Sequence, residues 1–329
     1  MRAPSRTGPD LVAIRDPGAR AHAHADWRER LELLRAELAR LGRVVVAYSG
    51  GVDSSVLLAV AHEQLGARAL GVIGVSDSYA AHELELALAQ AARIGARVET
   101  VTTGELSDED FARNPLDRCY HCKQALFDQL ARVAAREGGA VVCDGTIADD
   151  VADWRPGRRA AAEHAVRSPL AELGFRKADV RAAADALGLE SAGKPASPCL
   201  ASRIPYGTRI TREILSQVER AEALLRDLGF RELRVRHHGD TARLEVPLDQ
   251  LPGLTRPGVR ERVVDGLKAL GYRWVTLDME GLRSGNLNPI GAQGATFGPY
   301  STNPEPHSVG LGTNQCAPTE AAAHESGLR

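Results

Sequence analysis

The run Val44-Val45-Val46-Ala47-Tyr48, followed at once by Ser49-Gly50-Gly51-Val52-Asp53-Ser54-Ser55, constrains this chain more than any other feature. Apolar residues without polar alternation are the pattern of a short strand buried on both faces, as in parallel sheets covered by helices. Two adjacent glycines allow a sharp turn and bring backbone N–H groups close to an anion. Apolar residues from about Ser54 to Leu65 predict a helix that stops at Gly66. Its N-terminus adds partial positive charge and the hydroxyls of Ser54 and Ser55. Strand, anion-accepting turn and helix in that order predict an α/β fold with ligands at the carboxyl ends of its strands.

The alternation continues on both sides of this unit. Leu31, Leu34, Leu38 and Leu41 predict an amphipathic helix before the first strand. Strands at 69–75, 97–101 and 140–143 alternate with helices over 81–94 and 124–136, which implies right-handed crossovers. The pattern stops after a helix at 177–187, and Gly193-Lys194-Pro195-Ala196-Ser197-Pro198 reads as a linker. A helix over 212–228, two strands around His237–Asp240, a helix over 260–270 and a strand over 274–277 follow. The expected organisation is a disordered lead-in over 1–25, an α/β domain with a parallel sheet over 26–192, a smaller C-terminal α+β domain over 193–285 and a disordered tail over 286–329.

A chain of 329 residues is long enough for two such cores. Its formal net charge of −2 argues against a broad electrostatic nucleic-acid binder. No apolar run approaches the roughly 20 residues that span a bilayer, and Met1 to Ala25 has no apolar signal segment, so the expected location is cytoplasmic. Five cysteines without a secretion signal are not a disulfide framework. Cys119 and Cys122 form the informative pair, whereas Cys143 and Cys316 are assigned no function.

The loop at Ser49 lacks the spacing and the lysine of a Walker A motif. It resembles the SGGxDS loop of the PP-loop ATP pyrophosphatase superfamily. That resemblance implies a Rossmann-like, adenine nucleotide alpha hydrolase-like fold in which ATP is split to AMP and pyrophosphate. Ser49, Gly50, Gly51, Asp53, Ser54 and Ser55 would hold the departing pyrophosphate, and Asp53 would position Mg²⁺. Asp144-Gly145-Thr146-Ile147-Ala148-Asp149-Asp150 ends the fourth predicted strand and faces the same nucleotide; Asp149 or Asp150 is available to Mg²⁺ or to a substrate group. Amidating enzymes, NAD and GMP synthetases and RNA thiolases share the loop, so it names no acceptor.

Three further segments narrow the field: Asn114-Pro115-Leu116-Asp117-Arg118-Cys119-Tyr120-His121-Cys122-Lys123, then Asp144 to Asp150 with Trp154-Arg155-Pro156-Gly157 and Arg167-Ser168-Pro169-Leu170, and Pro195-Ala196-Ser197-Pro198-Cys199-Leu200-Ala201-Ser202-Arg203-Ile204-Pro205-Tyr206-Gly207. With the loop, they resemble the LarE family over about Trp27 to Gly285. These are ATP-dependent sacrificial sulfur transferases of nickel-pincer nucleotide biosynthesis. The resemblance implies a pyridinium dicarboxylate mononucleotide substrate whose carboxylate is adenylated. A catalytic cysteine, here Cys199, then forms a thioester, and C–S cleavage leaves sulfur on the substrate. A thiolate suits this role as the best side-chain nucleophile toward an activated acyl group. Lys194, Arg203 and Arg209 are the sequence neighbours able to lower its pKa.

The same resemblance assigns Ser202, Arg203, Glu222, Arg234 and Arg236 to the mononucleotide, and implies a homo-oligomer. Arg234 and Arg236, two apart on a predicted strand, share a face and suit bidentate binding of a phosphate. Ile147 stands where the family usually has Asn, and Ala152 where it has Gly.

The Cys119-x-x-Cys122 pair is not needed by sacrificial members. With Cys199 it resembles the three-cysteine, cluster-dependent thiolases. Three thiolates on a [4Fe–4S] cluster leave one iron open to hold a sulfide. A zinc site would need a second cysteine or histidine pair, and a redox pair a thioredoxin-like setting. The expectation is therefore a cluster on Cys119, Cys122 and Cys199, or sacrificial donation by Cys199 with the other two as bystanders. A tRNA 2-thiolase shares the loop and three cysteines, but usually adds zinc-finger cysteines or a basic RNA-binding domain, and neither is seen. An amidating enzyme needs no cysteines. A nucleotide-binding sensor would not need the complete loop.

Overall fold

The computed structural model describes residues 26–151, 156–283 and 287. The expected lead-in, the tail apart from Leu287, the departure at Ala152, the Trp154-Arg155 pair and Cys316 lie outside the described residues. Strands β1 (Val44–Ala47), β2 (Ala69–Val75), β3 (Arg97–Thr102) and β4 (Val141–Cys143) form a parallel sheet in the order β3-β2-β1-β4. Val44, Val45 and Val46 are fully buried, as a strand covered on both faces requires. On one face, helices α1 (Trp27–Leu41) and α2 (Val52–Leu65) and the Lys177–Ala186 helix build a core that includes Leu34, Leu38, Leu57 and Val180. On the other, the Arg118–Arg136 helix brings Phe127, Leu130 and Val133 against Val45 and Val72.

Strand order places the switch point between β1 and β4, because the chain leaves β1 toward β2 on one side and returns as β4 on the other. A crevice opens outside the carboxyl ends of strands at such a point. The loops starting at Ser49 and Asp144 flank it.

Most boundaries lie within two residues of the sequence reading, and one differs by more. The helix expected from Gln124 begins at Arg118. Tertiary contacts start it early. Asn114, at φ +59°, is fully buried and donates from Nδ2 to the carbonyls of Pro205 (2.8 Å) and Thr208 (2.9 Å). Its Oδ1 accepts from Arg118 Nη1 at 2.7 Å. Cys119 and Cys122 thus lie on the helix instead of in a loop, three residues apart and on one face.

The second sheet contains β5 (Arg234–His238), β6 (Thr241–Glu245) and β7 (Trp274–Leu277), with β5 antiparallel and β7 parallel to β6. Leu225, Val235, Leu244 and Leu267 pack beneath the Arg212–Asp227 and Val259–Ala269 helices. His237 is buried near Tyr272 while His238 is exposed, as adjacent strand residues should be. The segment after Pro198 is an anchor: Leu200, Ala201 and Ile204 are buried with Phe111 and Leu215. Among the described residues, no helix is long and apolar enough to cross a membrane.

Candidate active site

The loop after β1 is braced by its own hydroxyls. Ser49 N–H donates to Ser54 Oγ at 3.2 Å, and Ser54 Oγ donates to the Gly51 carbonyl at 3.1 Å. Tyr79 Oη donates to the Ser49 carbonyl at 3.0 Å, which adds a tertiary tie. Gly50 adopts φ +68°, and a Cβ there would stand 2.5 Å from the Ala87 Cβ. Both conformation and space therefore demand glycine. Gly145 is required by approach alone, since its Cβ would lie 2.9 Å from Ser54 N. The loops after β1 and β4 are thereby packed backbone to backbone at the start of α2.

A cavity of about 650 Å³ opens on these loops. Ser49, Asp53, Ser54, Asp144 and Gly145 line it, whereas Ser55 is fully buried beneath the helix, outside that lining. Asp144 accepts from Thr146 N–H (3.1 Å), Thr146 Oγ1 (2.9 Å) and Ser168 Oγ (2.7 Å), which fixes it at the rim. Asp150 also lines the cavity, while Asp149 accepts from Lys177 N–H at 2.8 Å and so caps a helix. Ile147, where the resemblance leads one to expect Asn, is buried in the main core.

Two groups escaped the sequence reading. Lys177 Nζ donates to both carboxylate oxygens of Asp53, at 2.9 and 2.7 Å. The available signal was a lysine at the first position of a helix, where the dipole disfavours a cation. Glu105 is buried in the same cavity and accepts from Ser76 Oγ (2.5 Å), Ser78 Oγ (2.7 Å) and Thr103 Oγ1 (2.5 Å). No local pattern marks it, because its three donors come from two different loops.

The cavity also gathers Cys119, Cys122 and Cys199. Burial pushes the Cys122 thiol well above its ordinary range, and negative charge at Glu105, Cys199 and Cys119 adds to this. A group that compensates this charge would therefore favour the thiolate form. A single zinc at about 2.3 Å from each sulfur needs sulfurs about 3.8 Å apart. Among the described residues, only Asp108, Asp110 and the ring of His121 bring three ligand atoms within 4.8 Å of one another. The thiols are thus spread more widely than one ion requires, and the all-sulfur donor set fits an iron–sulfur cluster.

Two of the three cations expected beside Cys199 are engaged elsewhere. Lys194 Nζ donates to Glu83 Oε2 (2.6 Å) and the Gly50 carbonyl (3.3 Å), and Arg209 pairs with Glu109 at the surface. Arg203 forms a bidentate pair with Glu222 (2.8 and 3.0 Å), and its Nη1 reaches the carbonyls of Pro198 (2.6 Å) and Cys199 (3.1 Å). Arg203 therefore positions the backbone that carries Cys199.

A second cavity, of about 780 Å³, is lined by all five residues expected to bind the mononucleotide. Arg236 is held by Glu245 (3.0 and 2.8 Å) and by the Ser202 carbonyl (2.9 Å). Among the described residues, Arg234 donates only to carbonyls, those of Ala196 (2.7 Å) and Leu233 (2.6 Å). Burial, with the charges of Arg203 and Arg236, pushes Arg234 down to about 10. A bound anion would favour its charged form. Pro198 and Tyr206 line both cavities, so the two adjoin beside Cys199, which lines the first.

Glu83 ties the second cavity to the nucleotide loop through Lys194. Burial pushes its carboxyl up, but hydrogen bonds from His82, Lys194 and Ser197 and the Lys194 charge outweigh it, leaving about 2. A depressed carboxylate stabilises the fold above its unfolded value near 4.5 and loses that contribution as pH falls through about 2. Glu83→Gln should therefore cost up to about 3 kcal/mol at pH 7 and almost nothing at pH 2. Urea unfolding at both values checks this, and a pH-independent difference would refute it.

No family model matches the chain. Three relatives do. An uncharacterized protein of Synechocystis sp. is 44% identical over 261 residues, covering 79% of this chain and 97% of that protein. The pyridinium-3,5-bisthiocarboxylic acid mononucleotide synthase of Lactiplantibacillus plantarum is 42% identical over 267 residues, covering 80% and 96%. An uncharacterized protein of Methanocaldococcus jannaschii is 28% identical over 246 residues, covering 74% and 91%. A parallel sheet with a glycine-rich loop at its switch point, three cysteines in the crevice and a likeness extending over nearly the whole synthase lead to one conclusion: the chain belongs to the LarE family of pyridinium-3,5-bisthiocarboxylic acid mononucleotide synthases.

Proposed function

We propose that this chain is an ATP-dependent sulfur transferase of nickel-pincer nucleotide biosynthesis. It adenylates a carboxylate of a pyridinium dicarboxylate mononucleotide and replaces one carboxylate oxygen by sulfur. The observation that carries this reading is the sharing of one cavity by the nucleotide loop and three cysteines, with an arginine-rich cavity adjoining it at Pro198 and Tyr206.

A substrate carboxylate oxygen attacks the α-phosphorus of ATP, the bond to the β-phosphate oxygen breaks, and pyrophosphate departs. The loop from Ser49 to Ser54 and the N-terminus of α2 receive it. Asp53 and Asp150 would hold Mg²⁺, which neutralises charge on the departing phosphates. Lys177, already at Asp53, adds a cation on the same side. Arg234 takes the substrate phosphate, in a field strengthened by Arg203 and Arg236. A sulfur nucleophile then attacks the acyl carbon, and AMP leaves with the displaced oxygen.

Cys119, Cys122 and Cys199 would hold a [4Fe–4S] cluster, which supplies a sulfide at its open iron. The alternative donor is Cys199 itself, through a thioester and β-elimination to dehydroalanine. The test is an anaerobic assay with ATP and the mononucleotide, or with ATP and unmodified tRNA. The expected outcome is pyrophosphate release and a thiocarboxylate on the mononucleotide, with Cys199 intact by mass spectrometry. Sulfur on tRNA would defeat the assignment, and dehydroalanine at Cys199 would select the sacrificial route.

A further inference from the structure

Arg118 is 5% exposed, yet among the described residues it meets no carboxylate. Its Nη1 is used by Asn114 at 2.7 Å, and its Nε is buried without a hydrogen-bond partner. The guanidinium lies over the Tyr206 ring, 4.4 Å from its centre. Buried guanidinium groups are normally neutralised by carboxylates, as Arg203 and Arg236 are here by Glu222 and Glu245. Arg118 lines the second cavity at the wall it shares with the first, for Tyr206 belongs to both. It also directly precedes Cys119 on the same helix.

We infer that Arg118 is a specificity residue that reads the second carboxylate of the substrate, the one not being adenylated. This rests on the proposed function. A ring bearing two carboxylates and spanning the Pro198–Tyr206 wall offers one to ATP in the first cavity. The other remains on the ring, within the second cavity. The phosphate has its own cation in Arg234, so the anion left for Arg118 is this carboxylate. A planar fork with Nη1 already engaged keeps its Nε edge for a carboxylate. A pyridinium mononucleotide with a single carboxylate would leave Arg118 uncompensated, and the site would reject it.

The test is calorimetric binding of two probes, the pyridinium 3,5-dicarboxylate mononucleotide and its 3-monocarboxylate analogue, in the presence of a non-hydrolysable ATP analogue. The wild-type protein should prefer the dicarboxylate by roughly 10- to 100-fold, the strength of a charge-assisted pair. In Arg118→Gln, which can still donate to Asn114, the preference should fall to within about threefold of unity through weaker dicarboxylate binding alone. If that variant does not fold, Arg118→Lys retains the charge without the fork and should lose about tenfold of the preference. In steady-state assays the loss should appear in KM for the dicarboxylate more than in kcat. A variant that keeps the wild-type preference overturns the inference and leaves the proposed function standing. Wild-type protein that binds neither mononucleotide overturns both.

Discussion

Cys122→Ala protein, reconstituted anaerobically with iron and sulfide, is expected to retain far less than the roughly four irons per chain that a [4Fe–4S] cluster brings. Its sulfur transfer should fall by a factor on the order of 10³, since a unit that acts together fails when one member is lost. ATP–pyrophosphate exchange supported by the mononucleotide should remain within about twofold, because the proposed function gives that step to the loop at Ser49. The split between the two activities is the informative readout. Cys119 and Cys122 are neither the proposed nucleophile nor on the loop that carries it, and Cys122 is the less exposed of the two. Full turnover in Cys122→Ala, with Cys199 converted to dehydroalanine, would show that Cys119 and Cys122 are bystanders. Burial and the neighbouring negative groups make Cys122 hard to ionise.

The second large effect concerns Glu222. Replacing it by Ala should cost about 3–5 kcal/mol, the range for a buried ion pair that loses one partner. Glu222 is 1% exposed and receives Arg203 on both oxygens and the Val235 N–H at 3.1 Å. Removing it orphans a buried guanidinium and a buried strand N–H together. Urea denaturation, with the slope checked for constancy, measures the loss. Glu222→Gln retains acceptor and donor capacity and should recover part of it. A Glu222→Ala protein as stable as the wild type would refute the structural role and leave ligand contact as its only one. Because Arg203 also grips the Pro198 and Cys199 carbonyls, this stability loss should come with a lower rate of sulfur transfer.

The LarE resemblance groups Ser202, Arg203, Glu222, Arg234 and Arg236 as substrate residues, and all line one cavity. The structure divides them by what each side chain already holds. Arg203 and Arg236 have buried carboxylates of their own, so they shape the site and contribute field. Arg234 has only carbonyl partners among the described residues and is the guanidinium best able to accept a phosphate. Sequence spacing gives the shared face of Arg234 and Arg236, but not the occupancy, because their acceptors come from Ala196, Ser202 and Glu245.

Some features were determined by the sequence alone. An unbroken valine run needs cover on both faces, and a Gly-Gly turn before a helix is local geometry. The β1–α2 unit and its glycine-rich loop follow from contacts within a few residues, and the parallel sheet follows from the alternation of strand and helix patterns. The early start of the helix at Arg118, the meeting of Cys119 and Cys122 with Cys199, the burial of Glu105, the Lys177–Asp53 pair and the isolation of Arg118 were decided only by the tertiary structure. Each depends on groups tens of residues apart along the chain, and no periodicity or propensity encodes which side chain claims which partner across a crevice. The nucleotide loop could be recognised from its own residues, whereas the surroundings that give its chemistry a purpose come from packing.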